Sequence, residues 1–207
     1  MRSPVEDALD MKSARLVFAL GSCLLVGASS ARANEIFKFD SAHSTIAFKV
    51  QHMLGTAKGT FTKFSGTIEV DREHPEKSSV VATIQTASIN TAIAKRDEHL
   101  RSADFFNVQQ YPEITFKSRR VKRTGANTGE IAGDFSMHGV TCAITLNVQL
   151  LGDPGSAPSG QTMRWRVTTA PLSRSGFKLG WSKGVETVSM IGDNVAVDIQ
   201  IEATRAQ

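Results

Sequence analysis

Cysteine is nearly absent from this chain. Of two in 207 residues, Cys23 lies in an N-terminal apolar stretch and only Cys142 falls in the body of the sequence. One thiol cannot close an intrachain disulfide, so packing alone must hold the fold. Tyrosine is almost missing too, with one against eleven phenylalanines. Neither H-E-x-x-H nor C-x-x-C occurs, so the common signatures of zinc hydrolases and dithiol redox proteins are lacking. The G-x-S-x-G of serine hydrolases is also missing. A strong charge of either sign is lacking as well: the formal net charge is +4. The one basic cluster is Lys117, Arg119, Arg120, Lys122 and Arg123. Alternation spreads it over both faces of a strand end, which reads as a solvated edge rather than a nucleic-acid surface.

The N-terminus reads as an address. Lys12 and Arg15 precede an apolar run from Leu16 to Ala28, too short to span a bilayer comfortably. Ala31-Arg32-Ala33 has the A-x-A form of a cleavage site. Residues 1–33 are therefore expected to be a cleaved secretory signal, leaving 34–207 as one exported domain. The acidic residues before Met11 are unusual ahead of such a signal, so Met11 is a candidate start. Acylation at Cys23, in Leu20-Gly21-Ser22-Cys23, is the rival reading. No later apolar run reaches spanning length.

From there the chain alternates with period two. Ile46, Phe48 and Val50 share a face; so do Val80, Ala82 and Ile84, and then Ile114 and Phe116. Ile131, Phe135 and Met137 alternate loosely, and Val140, Ile144, Leu146, Val148 and Leu150 form a longer face. Met163, Trp165 and Val167 follow, and Val195, Val197, Ile199 and Ile201 close the series. Parity changes between Phe61 and Phe64, which predicts a bulge or bend. The one helical stretch is Thr91 to Phe106, with Asn90 or Thr91 as cap. Eight or so antiparallel strands leave a sandwich or a closed barrel, and long bent strands with one inserted helix favour the barrel.

The densest chemistry is Arg96-Asp97-Glu98-His99-Leu100-Arg101, followed at once by Phe105 and Phe106. Charge beside bulky aromatics suggests the polar mouth of an apolar chamber. Arg96, Asp97 and His99 are therefore the candidate polar residues of that mouth. Arg96–Asp97 or Arg101–Asp104 pairing that merely fixes the helix is the competing reading. His52 shares parity with Val50 and so should face the apolar side.

Several motifs in order carry a resemblance. They are Asp40-x-x-His43-Ser44-x-Ile46-x-Phe48-x-Val50-x-His52, Gly59-x-Phe61-x-x-Phe64-x-Gly66, Arg96-Asp97-x-His99-Leu100, Tyr111-Pro112-x-Ile114-Thr115-Phe116 and Gly133-x-Phe135-x-Met137-His138-Gly139. Together they resemble the YceI-like family of polyisoprenoid-binding, lipocalin-like periplasmic proteins, from about Glu35 to Ala203. The resemblance implies an all-β, extended antiparallel eight-stranded barrel with one short inserted helix and a hydrophobic lumen. It also implies a non-catalytic carrier or store of a quinone tail or polyprenyl phosphate, often a homodimer, in transient contact with a membrane or its quinone enzymes. The expected lumen residues are Ile46, Phe48, Val50, His52, Phe61, Phe64, Ile84, Phe105, Phe106, Ile114, Phe116 and Phe135, with Trp165, Phe177 and Trp181 at the other end. Arg96, Asp97 and His99 would then meet the head group, since Arg can fork onto a phosphate and His can bond a quinone carbonyl. Cys142, Gly176 and Lys178 depart from the family pattern. No cofactor or metal is expected. The rivals are a metal-dependent hydrolase built on His43, His52 and His138, and an interaction module whose barrel is filled by its own side chains.

Overall fold

The computed structural model describes residues 34–52, 55–152, 161–180 and 191–206. Among these residues twelve strands form one antiparallel sheet: β1 Glu35–Phe39, β2 Thr45–His52, β3 Gly55–Phe61, β4 Phe64–Val70, β5 Ser79–Gln85, β6 Ile89–Asn90, β7 Glu113–Arg123, β8 Thr128–Met137, β9 Val140–Gly152, β10 Thr162–Thr169, β11 Leu172–Ser173 and β12 Ile191–Arg205. The ring β1-β4-β5-β7-β8-β9-β10-β12 closes because β12 pairs back onto β1, Phe37 opposite Arg205. The remaining strands lengthen this ring. β1 and β2 both lie along β12 and so form one stave, interrupted at Asp40–Ser44. β3 and β4 form the next stave, and β5 and β6 the one after. β10 and β11 make another along the opposite edge of β12. The result is a closed eight-stave barrel, as expected from the sequence.

The parity change between Phe61 and Phe64 is a two-residue break. There Thr62 N–H donates to the Ser88 carbonyl, and the Lys63 carbonyl accepts from Gln85 N–H. β8 and β9 meet in a two-residue turn, His138-Gly139, with φ of 51° and 73°. Positive φ at both positions matches the right-handed twist of the flanking strands, and glycine takes the second without strain.

The helix is shorter than expected. α1 spans Ala94–Arg101, and neither Asn90 nor Thr91 caps it. Ala92 has φ of 60°, which breaks the chain direction ahead of the helix. The Asn90 carboxamide oxygen instead accepts from Ala92 N–H at 2.8 Å. At the other end Phe106 N–H reaches back to the Leu100 carbonyl and Asn107 turns to φ 45°, so the chain leaves the helix before Phe105.

α1 and its following turn sit at the end of the barrel where the β2–β3 and β8–β9 hairpins close. Leu100, Phe105 and Phe106 are buried there, in one apolar cluster with Phe61 and Ile89. Rings of Phe61 and Phe106 meet edge to face at 6.1 Å, and Phe105 meets Phe106 at 5.1 Å. At the opposite end Phe37, Met163 and Ala203 are buried, and Phe37 stands edge-on to Trp165 at 6.3 Å. These two apolar plugs bound the lumen. No helix among the described residues is long and apolar enough to cross a membrane.

Candidate ligand cavity

Between the plugs lies a cavity of about 600 Å³. It falls inside the roughly 300–1,000 Å³ typical of small-molecule sites, so the barrel is not filled by its own side chains. Strand alternation builds its wall. β2 gives Ile46, Phe48 and Val50; β5 gives Val80, Ala82 and Ile84; β7 gives Ile114 and Phe116. β8 adds Ile131, Phe135 and Met137, β9 adds Ile144, Leu146 and Val148, and β12 adds Val195, Val197, Ile199 and Ile201. Phe48 lies opposite Gly59, where an added Cβ would stand 2.4 Å from its ring. Gly133 makes the same room for the Phe116 ring. Missing side chains on neighbouring strands thus let large rings lie flat along the wall.

Polarity is confined to one end. The ionisable lining residues are Lys95, Arg96 and His99 from α1 and Arg174 just after β11, joined by the hydroxyls of Thr91, Thr169 and Ser173. Among the described lining residues there is no aspartate or glutamate. Arg174 is buried, and its Nη1 donates to the Leu179 carbonyl at 2.5 Å. Arg96 donates from Nε to Thr91 Oγ1 at 2.7 Å and from Nη2 to the Thr91 carbonyl at 2.9 Å.

The residues expected at the lumen divide accordingly, and most of the expected wall is where alternation put it. Ile46, Phe48, Val50, Phe61, Ile84, Phe105, Phe106, Ile114, Phe116, Phe135 and Trp165 line the cavity, as do Arg96 and His99.

Four others do not. His52 pairs across Gly55 and Ile191 at the tip of the β2–β3 hairpin, beyond the wall. Phe64 is buried in the apolar cluster without reaching the cavity. Phe177 packs edge-on against Phe135 at 5.4 Å, at the α1 end and thus opposite Trp165 rather than beside it. Asp97 is buried and turned from the lumen: its Oδ1 accepts Thr91 N–H at 2.9 Å and the Thr91 hydroxyl. It ties the strand–helix corner instead of meeting a head group. Arg101 is also structural, donating to the carbonyls of Ala87 and Ile89. Trp181 and residues 1–33, Cys23 among them, lie outside the described residues. Sequence reasoning passed over Lys95 and Arg174; the latter's only signal was its place in the Arg174-Ser175-Gly176-Phe177 stretch.

The histidines of the hydrolase reading are not brought together. His43 and His52 flank the length of β2, about 23 Å at ~3.3 Å per residue over seven residues. His138 instead meets Tyr111 edge-on at 4.5 Å and its Nδ1 lies 3.1 Å from the Phe177 carbonyl. His43 meets Asp40 and Glu202, with ligand atoms all within 4.8 Å. Glu202 alternates with the lumen residue Ile201, which puts this group on the other side of the wall. The His43 Nδ1–Asp40 bond of 2.8 Å raises the His43 pKa and lowers that of Asp40.

A closed antiparallel barrel around a hydrocarbon-lined void defines a lipocalin-like barrel with an apolar lumen. Residues 37–203 match the YceI-like domain, and the chain belongs to that family. It is 36% identical over 184 residues to a UPF0312 protein of Ectopseudomonas mendocina, covering 87% of this chain and 95% of that one. It is 37% identical to Protein YceI of Escherichia coli over 151 residues, covering 72% and 78%. Among solved structures, Burkholderia cenocepacia BcnA superposes with a TM-score of 0.71 at 24% identity, covering 79% of this chain and 98% of that one. A polyisoprenoid binding domain from Saccharophagus degradans gives a TM-score of 0.60 at 20% identity, covering 82% and 98%. Both likenesses are of fold.

Proposed function

We propose that this protein is exported to the periplasm and holds a polyisoprenoid lipid in its lumen, acting by sequestration or carriage and without catalysis. The observation that carries the reading is the void of about 600 Å³ walled by inward-facing Phe, Ile, Val, Leu and Met. A prenyl chain is a flexible apolar rod. Burial contributes about 0.8 kcal/mol per methylene-sized group, so each five-carbon unit drawn from water into a dry lumen adds about 4 kcal/mol before ordering costs. Flat alkene units suit phenylalanine faces, and phenylalanine brings no hydroxyl that would need a partner inside the barrel.

The test is organic extraction of protein purified from a bacterial periplasm, followed by mass spectrometry. A stoichiometric prenyl species is the expected result. An empty extract, with no thermal shift on adding prenyl lipids, would refute the proposal.

A further inference from the structure

The cavity reaches the surface between α1 and the β2–β3 hairpin. Val50 and Ala57, paired near the hairpin tip, line it from one side. Ile93, Lys95 and His99 line it from the other and are exposed. Ile93 leaves 52% of its surface in water although it belongs to the apolar wall.

The outer face of the same hairpin carries a like-charged pair. Lys49 stands directly opposite Lys58, and both are exposed. Like charges so placed destabilise a sheet. Lys58 has a structural reason to be there. β3 pairs with β6 only at Thr60 and Phe61, so among the described residues its earlier part is a sheet edge, and an edge lysine discourages stray strand pairing. That reason does not extend to Lys49, because β2 lies inside the sheet between β3 and β12. No Asp or Glu occurs from Thr45 to Phe61. Neither lysine joins an ion pair among the described residues. Asp198, which pairs with the neighbouring Ala47, is taken by Arg166 at 2.8 Å. α1 adds Lys95 and one exposed carboxylate, Glu98. The basic cluster on β7 differs: Arg119 lies 2.7 Å from Asp134 and Lys122 3.7 Å from Glu130.

We infer that this mouth docks on an anionic bilayer surface, with Lys49, Lys58 and Lys95 meeting the head groups and Ile93 set among them. The inference rests on the lipid-binding reading above and names the surface from which the lumen is filled. An exposed apolar residue flanked by cations at the opening of an apolar lumen complements a charged lipid surface. A second copy fits poorly, since it would set lysine against lysine. These charges sit in water, so their attraction is screened and falls with salt.

Co-sedimentation of the purified protein with phosphatidylcholine vesicles, with and without phosphatidylglycerol, tests this. The expected result is binding only where phosphatidylglycerol is present, lost at high salt. A lysine near an anionic membrane contributes about fivefold in affinity, so Lys49→Gln with Lys58→Gln should bind about tenfold or more weaker. That variant should be no less stable to urea, because it relieves the opposed pair. Ile93→Ser should bind several-fold weaker; position 93 is the helix N-cap, where serine is favoured, so the fold is kept. Lys117→Gln with Arg120→Gln, on β7, should bind as the parent does. Equal binding to both vesicle types, or loss in the β7 variant but not the hairpin variant, would overturn the inference. So would self-association abolished by the hairpin variant, which would assign the face to a second copy. Prenyl lipid on extraction with no vesicle binding would overturn the docking surface and leave the lipid reading standing. Vesicle binding with neither extractable lipid nor uptake of prenyl lipid from the vesicles would remove the reading on which it rests.

Discussion

Replacing Val197 with Asp places a carboxylate on the lumen wall midway along β12, directly opposite Phe48. In a dry lumen the ionised form loses its hydration without gaining a partner. Burial of that kind raises a carboxyl pKa by as much as about 3–5 units. The folded pKa then lies above the unfolded value of about 3.9, so the fold favours the protonated side chain. Its cost is least below the unfolded pKa and grows as pH rises toward the folded one. At pH 7 the cost reaches a ceiling of about 4 kcal/mol, the work of holding a proton some three units above the ordinary pKa at 1.36 kcal/mol per unit. Against a total stability of roughly 5–15 kcal/mol, the variant stays folded but is much weakened. The assay is urea unfolding at pH 5, 7 and 8.5, with Val197→Asn as a polar control that does not titrate. The Asp variant should regain about half or more of its deficit on going from pH 7 to 5, and the Asn variant should show no such change. An Asp variant as stable as the parent at pH 7, with the flat profile of Asn, would mean that position 197 meets water and the lumen is wet.

Two more outcomes are expected. Gly133→Ala sets a Cβ 2.5 Å from the Lys117 carbonyl and 2.6 Å from the Phe116 ring, so it should destabilise the protein by about 1–3 kcal/mol in chemical denaturation. Equal midpoints would show that the wall relaxes around it. At the β1–β2 bend, Asp40 has a lowered pKa and His43 a raised one, each chiefly from their mutual hydrogen bond. The Asp40 contribution is present above its ordinary value of 3.8 and lost as pH falls through the folded pKa; that of His43 is present below its ordinary 6.5 and lost as pH rises through its folded pKa. The pair is therefore strongest between those values. NMR titration should place His43 above 6.5 and return it toward that value in Asp40→Asn.

Much of the barrel was legible because strand alternation is local. Val195, Val197, Ile199 and Ile201 declare a face with no knowledge of their neighbours, and all four reach the lumen. What alternation does not carry is position along the barrel axis. That depends on register between strands far apart in sequence, so His52 shares the parity of Val50 yet ends at a hairpin tip, and Phe177 comes to rest opposite Trp165. The helix was overread for another reason. Residues 91 to 106 have good helical propensity, but Ala92 and Asn107 adopt positive φ under tertiary constraint, and propensity is a weak prior against that. The charged segment held both readings at once: Asp97 and Arg101 serve the corner, while Arg96 and His99 reach the wall.

The ring is completed by its last strand. Every other neighbouring pair of staves is adjacent in the chain, whereas β12 must find β1 and β2 across almost the whole domain, Phe37 against Arg205 and Ile46 against Ile199. A polypeptide emerging N-terminus first is therefore an open trough, with two bare strand edges and a greasy floor, until residue 205 is free. Long-range pairing of this sort is slow and exposes edges to misassociation. A hydrophobic guest already lying in the trough would cover that floor before the seam closes, so cargo loading and folding are able to be one event.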